Sequence, residues 1–173
     1  MKMSAVYALT LAIAAAGCSS SSTSPSTTTP TKPTFTATLS PSNEVPAIIG
    51  AEASGSGTAT ITFDVTKDAA GNITAGTATF VVNLTGFPPG TPINIAHIHQ
   101  AAAGVNGGIV VNTGLSAGQN VLTTGSGSFS VANISVTPEI AQGMLSNPAG
   151  FYFNVHTTLN AGGVARGQLS RVS

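Results

Sequence analysis

"TATITFDVTKDAAGNITAGTATFVVNL", residues 58–84, alternates apolar and polar side chains on both sides of a short interruption. Ala59, Ile61, Phe63 and Val65 share one parity before it, and Ala78, Phe80, Val82 and Leu84 share one after it. Successive side chains of a strand point to opposite faces, so this period of two predicts two strands, each buried on one side. The interruption, "KDAAGN" at 67–72, carries the Gly and Asn that a hairpin connection needs. An antiparallel hairpin with one apolar face is the seed of an all-β domain.

The same pattern extends outward in both directions. Phe35, Ala37 and Leu39 alternate with threonines upstream, and "GFPPGTP" at 86–92 breaks the chain before a further strand. Strands are predicted near 108–112, 126–131, 151–158 and 164–172. Only "TPEIAQGMLSNP", 137–148, reads as a helix: Thr137 can cap it, Pro138 suits its first turn, and Ile140, Met144 and Leu145 fall on one side. Closely spaced strands without βαβ alternation predict an antiparallel β-sandwich or Greek-key barrel with one short helix.

Composition supports this fold and narrows the function. Thr, Ser, Gly, Ala and Val dominate, while the strong helix formers Leu, Glu and Lys are scarce. The 173 residues carry 5 Lys and Arg against 5 Asp and Glu, giving a formal net charge of zero. Such a chain has no electrostatic footprint for phosphate backbones, which argues against nucleic acid as a partner.

The N-terminus bears on location. Lys2 precedes an apolar run at 6–16, too short to cross a bilayer but suited to a signal-peptide core, and it ends in "AAGC". Small residues before a cysteine resemble a lipoprotein processing box, with Cys18 as the lipidated residue; Ala15 stands where that box usually has Leu. The expected organisation is a signal peptide over 1–18, a Ser/Thr/Pro-rich tether over 19–34 and a domain over 35–173. It places the protein outside the cytoplasm, at the outer membrane, periplasm or cell surface, held to a membrane by an N-terminal lipid. Cys18 is the only cysteine, so the domain has no internal disulfide.

All three histidines fall in strands. In "INIAHIH", Ala96 and Ile98 share one face and Ile95, His97 and His99 the other; in "FYFNVHTT", Phe151, Phe153 and Val155 oppose Tyr152, Asn154 and His156. With the apolar sets inward, His97, His99 and His156 all face away from the core, where imidazoles from neighbouring strands can converge on one ion. Copper and zinc both suit imidazole nitrogen, and ligand type does not choose between them. The competing reading has the histidines hydrogen-bonding loop backbone, with Asn154 and Thr157 as local partners, to hold "QAAAGVNGG" over the sheet.

"FTATLSPSNEVPA", "AHIHQAAAGVNGGIVV" and "FYFNVHTTLNAGGVARGQL" together resemble the CHRD domain, a repeated module of chordin that also occurs in bacterial exported proteins. The resemblance runs over 35–172. It implies an immunoglobulin-like β-barrel and an extracellular protein-interaction role, with no established catalytic activity. Gly107-Gly108 departs from the Gly-Pro usual there, which concerns a turn. A looser resemblance links His97, His99 and His156 to the copper ligands of copper/zinc superoxide dismutases. The bridging histidine, the aspartate-rich zinc loop and the disulfide of those enzymes have no counterpart.

Arg166 and Gln168 are placed near His156, where Arg166, Tyr152 and Asn154 could support a metal site. Arg166 could receive an anion or bridge to Glu44 or Glu52, and Glu44 in "SNEVP" is expected to fix the loop before the second strand. Nucleophile elbows, phosphate loops, metalloprotease helices and CxxC pairs are absent from the sequence, so no enzyme is expected beyond weak copper redox chemistry. The leading expectation is an exported, membrane-tethered binding module for a protein partner or itself. A single-ion copper or zinc protein comes second, and a structural component of an envelope or extracellular assembly third.

Overall fold

The computed structural model describes residues 32–173, so the signal peptide, Cys18 and most of the tether lie outside the described residues. Ten strands and one α-helix follow in the order β1 (Thr34–Leu39), β2 (Ser56–Lys67), β3 (Ile73–Thr85), β4 (Thr91–Gln100), β5 (Gly108–Asn112), β6 (Asn120–Leu122), β7 (Gly127–Val136), α1 (Pro138–Ser146), β8 (Phe151–Thr157), β9 (Ala165–Gln168) and β10 (Ser170–Arg171). One sheet runs β10-β1-β2-β3-β7. The other runs β5-β4-β8-β9, with β6 also paired to β4. Neighbours are antiparallel, and the two layers form a sandwich, not a closed barrel.

The alternation read from the sequence sets the core. Phe35, Ala37, Leu39, Ala59, Ile61, Phe63, Ala78, Phe80, Val82 and Leu84 are buried between the sheets, while their threonine neighbours lie on the other face. Phe35 meets Phe63 at 5.2 Å between ring centroids, and Phe80 stacks on Phe153 of the opposite sheet at 5.7 Å. α1 is capped by the Thr137 side chain, which accepts from the Ile140 amide, and it buries Ala141 and Met144. Sheet pairing begins at Thr34, opposite Thr62, so the first strand reaches into the segment read as tether. The C-terminal stretch expected as one strand is two, because β9 pairs with β8 in one sheet and β10 with β1 in the other.

The sheets approach each other along β1 and β9, where Ser40 bridges Arg166. Gly167 allows the crossing: a Cβ there would lie 2.1 Å from the Thr38 carbonyl oxygen, closer than any side chain tolerates. Within the second sheet β4 carries a register shift between Ile93 and Ile95. The extra residue switches parity. Ile93 is therefore buried with Ala96 and Ile98, although strict alternation would set it on the histidine face.

Candidate metal centre

His97 and His99 on β4 face away from the inter-sheet core, as expected, and His156 joins them from β8, whose Asn154 pairs opposite His97 and whose Tyr152 pairs opposite His99. Facing away does not make them exposed. His97 is 3 % exposed, His99 9 % and His156 5 %, because loops close over this outer face. The three residues offer ring nitrogens that lie within 4.8 Å of one another.

Backbone carbonyls of two loops orient the rings. His99 Nδ1 lies 2.9 Å from the Gly107 carbonyl oxygen, and His156 Nδ1 lies 2.9 Å from that of Ala161. A carbonyl only accepts, so in each contact Nδ1 is the donor. His156 Nε2 then faces His97 Nδ1 at 3.3 Å and Asn154 Oδ1 at 3.1 Å. His99 Nε2 is buried with no hydrogen-bond partner. Burial, reinforced by the neighbouring imidazoles, pushes the His97 pKa down to about 4, and burial also lowers that of His156.

Tyr152, Asn154 and Arg166 lie around the three histidines. Tyr152 stacks on His99 with centroids 4.8 Å apart and planes within 3°, and its hydroxyl accepts from the Gly107 amide. Arg166 covers the other side of this stack at 4.6 Å from the Tyr152 centroid. Of the two acids considered for Arg166, Glu44 is the partner, at 3.3 Å from Nε. Glu52 is not; it accepts from the Thr157 hydroxyl and the Asn160 amide, pinning loop 158–164. Thr157 is thereby a partner of Glu52 and not of a histidine.

Arg166 also donates to the carbonyls of Asn43 and Val105, and Gln168 donates to those of Ala101, Ala149 and Phe151. These bonds fasten the loops that roof the histidines. Glu44 is buried beside Arg166, and burial pushes its pKa up to about 7 against the opposing pull of Arg166. Sequence reasoning missed Gly107 and Ala161, which act through backbone oxygen and leave no side-chain signal.

Two antiparallel sheets carrying a covered histidine cluster on one outer face define the class: an all-β sandwich with three clustered, buried imidazoles. A family model described as the CHRD domain matches residues 35–169, and the chain belongs to the CHRD domain family. No curated protein and no solved structure matches it.

Proposed function

We propose that this chain is an exported, lipid-tethered CHRD domain that works by binding, without turnover, and that its ligand is one transition-metal ion, copper or zinc, held by His97, His99 and His156. The observation that carries this reading is the set of three buried imidazoles with nitrogens within 4.8 Å of one another, one of which, His99 Nε2, has no hydrogen bond. A buried polar atom without a partner costs about 1–3 kcal/mol, and an ion removes that cost. The Nδ1 contacts to Gly107 and Ala161 support it further, since metal-ligating histidines commonly donate their other ring N–H to a carbonyl that fixes the tautomer. When bound, the ion supplies a fixed positive charge in a site closed to water. The chain's residues bind it, orient the rings and exclude solvent. Export and tethering rest on the apolar segment ending at Cys18.

The test is elemental analysis of the full chain purified without a histidine tag, followed by titration with Cu(II), Cu(I) and Zn(II). One ion per chain is expected, lost in the H97A/H99A/H156A variant. Absence of all three ions from wild type ends the reading. A groove of about 520 Å³ beside the centre, lined by Thr36, Thr38, Glu44, Arg166 and Gln168 among others, favours a second reading in which a protein partner docks there. Thr38→Trp, which fills the groove, separates the two because it leaves metal content unchanged.

A further inference from the structure

The loops that roof the histidines present a surface unlike the rest of the molecule. Among the described residues the exposed charged side chains are Lys32, Asp64, Lys67, Asp68, Glu139 and Arg171, all on the first sheet, the segments flanking its strands, or α1. Residues 41–55, 101–107 and 158–164 contribute only Glu44 and Glu52, and the fold turns both inward. Glu44 lies 3.3 Å from Arg166 Nε, and Glu52 accepts from Thr157 and Asn160. What these loops leave outside is aliphatic: Ile49 is 88 % exposed and Leu159 67 %, with Val45 and Val105 exposed beside them. The loops join through Val45. Its carbonyl accepts from Asn106 Nδ2 at 2.9 Å, and it lines both the groove, with Ala103 and Gly104, and a hollow of about 170 Å³, with Pro46, Ile48, Gly162 and Gly163. Ile49 and Leu159 stand at the rim of that hollow, each next in sequence to a residue that lines it, Ile48 and Asn160.

A contiguous exposed apolar face marks a contact site, and its want of charge selects the occupant. A two-fold pair sets one patch against itself, so a charge near the axis meets its like and costs affinity. A face cleared of charge, on a molecule that keeps its charges elsewhere, meets that condition and offers a charged partner nothing to pair with. Knob and hollow also lie side by side, so rotation about an axis between them seats the knob of each copy in the hollow of the other. We propose that the roof of the histidine cluster is a homodimer face, with Ile49 and Leu159 of each copy packed against the hollow of its partner. The contact needs no ion. An aliphatic patch on the order of a few hundred Å² is small beside the roughly 800 Å² per partner of a standard interface, so a reversible pair with a dissociation constant of about 10–100 µM is expected.

The experiment is sedimentation of the metal-free full chain carrying Cys18→Ala, which removes the lipid site and the only thiol, over concentrations from about 1 µM to 1 mM. A monomer–dimer equilibrium is expected. Ile49→Asp and Leu159→Asp, both at exposed positions, are each expected to weaken it about 10-fold or more while urea melts stay unchanged. Val81→Asp, at an exposed aliphatic on the outer face of the first sheet, is expected to leave it intact. A protein that stays monomeric across the range overturns the homodimer; if it also sediments with neutral phosphatidylcholine vesicles and Leu159→Asp releases it, the face belongs to a bilayer instead. A dimer that both loop variants leave intact, or that Val81→Asp weakens equally, places the contact elsewhere and overturns the proposal too. Metal content enters none of these outcomes, so they stand apart from those of the metal titration.

Discussion

Glu44 is a carboxyl whose charge the fold disfavours. Its pKa rises from 4.5 to about 7 because burial outweighs the nearby Arg166 guanidinium. The folded state therefore holds a proton that the unfolded chain releases near 4.5, and the stability this contributes is present below that pH and lost as pH climbs through about 7. Arg166 tolerates the neutral acid because Asn43 and Val105 carbonyls and the Tyr152 ring also hold it. Chemical denaturation of metal-free protein at pH 4.5 and pH 8 is expected to show wild type losing on the order of 3 kcal/mol relative to Glu44→Gln across that interval. Parallel pH profiles for the two proteins would show that folding leaves the Glu44 pKa unshifted. A glycine packed behind the histidine cluster makes a simpler case. Gly163 sits at φ 132°, with Asn154 and Glu44 against its Cα, so Gly163→Ala is expected to destabilise the domain by about 1–3 kcal/mol, measurable in the same melts.

Among elements, β2 and β3 carry the clearest signal, since their alternation continues through twelve paired positions with a single shift near the turn. Phe63 and Phe80 sit on the inward parity and are essentially inaccessible. Phe63→Ala is expected to cost about 3–5 kcal/mol, whereas the exposed Thr58→Ala stays within about 0.5 kcal/mol; a reversed order in urea melts would place the wrong face inside. This legibility follows from period two, and it falters where the period breaks. Ile93 shows the failure on β4, because the register shift between it and Ile95 moves it to the core, and the Pro92 before it reads only as the end of the preceding breaker. β6 was not read at all, being three residues paired only to the start of β4. The histidine face was legible for the same reason as the core, as its complement. Its burial was not, since the roof is fastened by carbonyls of residues 43, 101, 105, 107 and 161 that any residue type supplies. Gly167 belongs at this scale too: substitution by Ala drives β1 from β9, with an expected loss of about 3 kcal/mol in the same experiment.

For the molecule as a whole, the proposed ion would bridge β4 and β8 and tie together residues 59 positions apart in the chain. The unfolded chain does not assemble that set, so metal at 100 times its dissociation constant is expected to add about 2.7 kcal/mol, read as a concentration-dependent rise in melting temperature. An H97A/H99A/H156A variant that gains as much as wild type would place the binding elsewhere. At the other end, Cys18→Ala is expected to shift the protein from the membrane fraction to the soluble one, and a wild type without lipid mass would refute the tether. The first and last strands add a consequence of their own. β1 and β10 pair side by side, and the Thr34 amide donates to the Ser173 carbonyl, so the described chain enters and leaves the domain at one corner. Such a unit hangs from its polymer like a bead on a loop: strung in series it adds little contour length, and spliced into a host's surface turn it spreads the flanking chain hardly at all. Pulled between those two ends, β10 would peel from β1 one bond at a time, making this corner the weakest under tension.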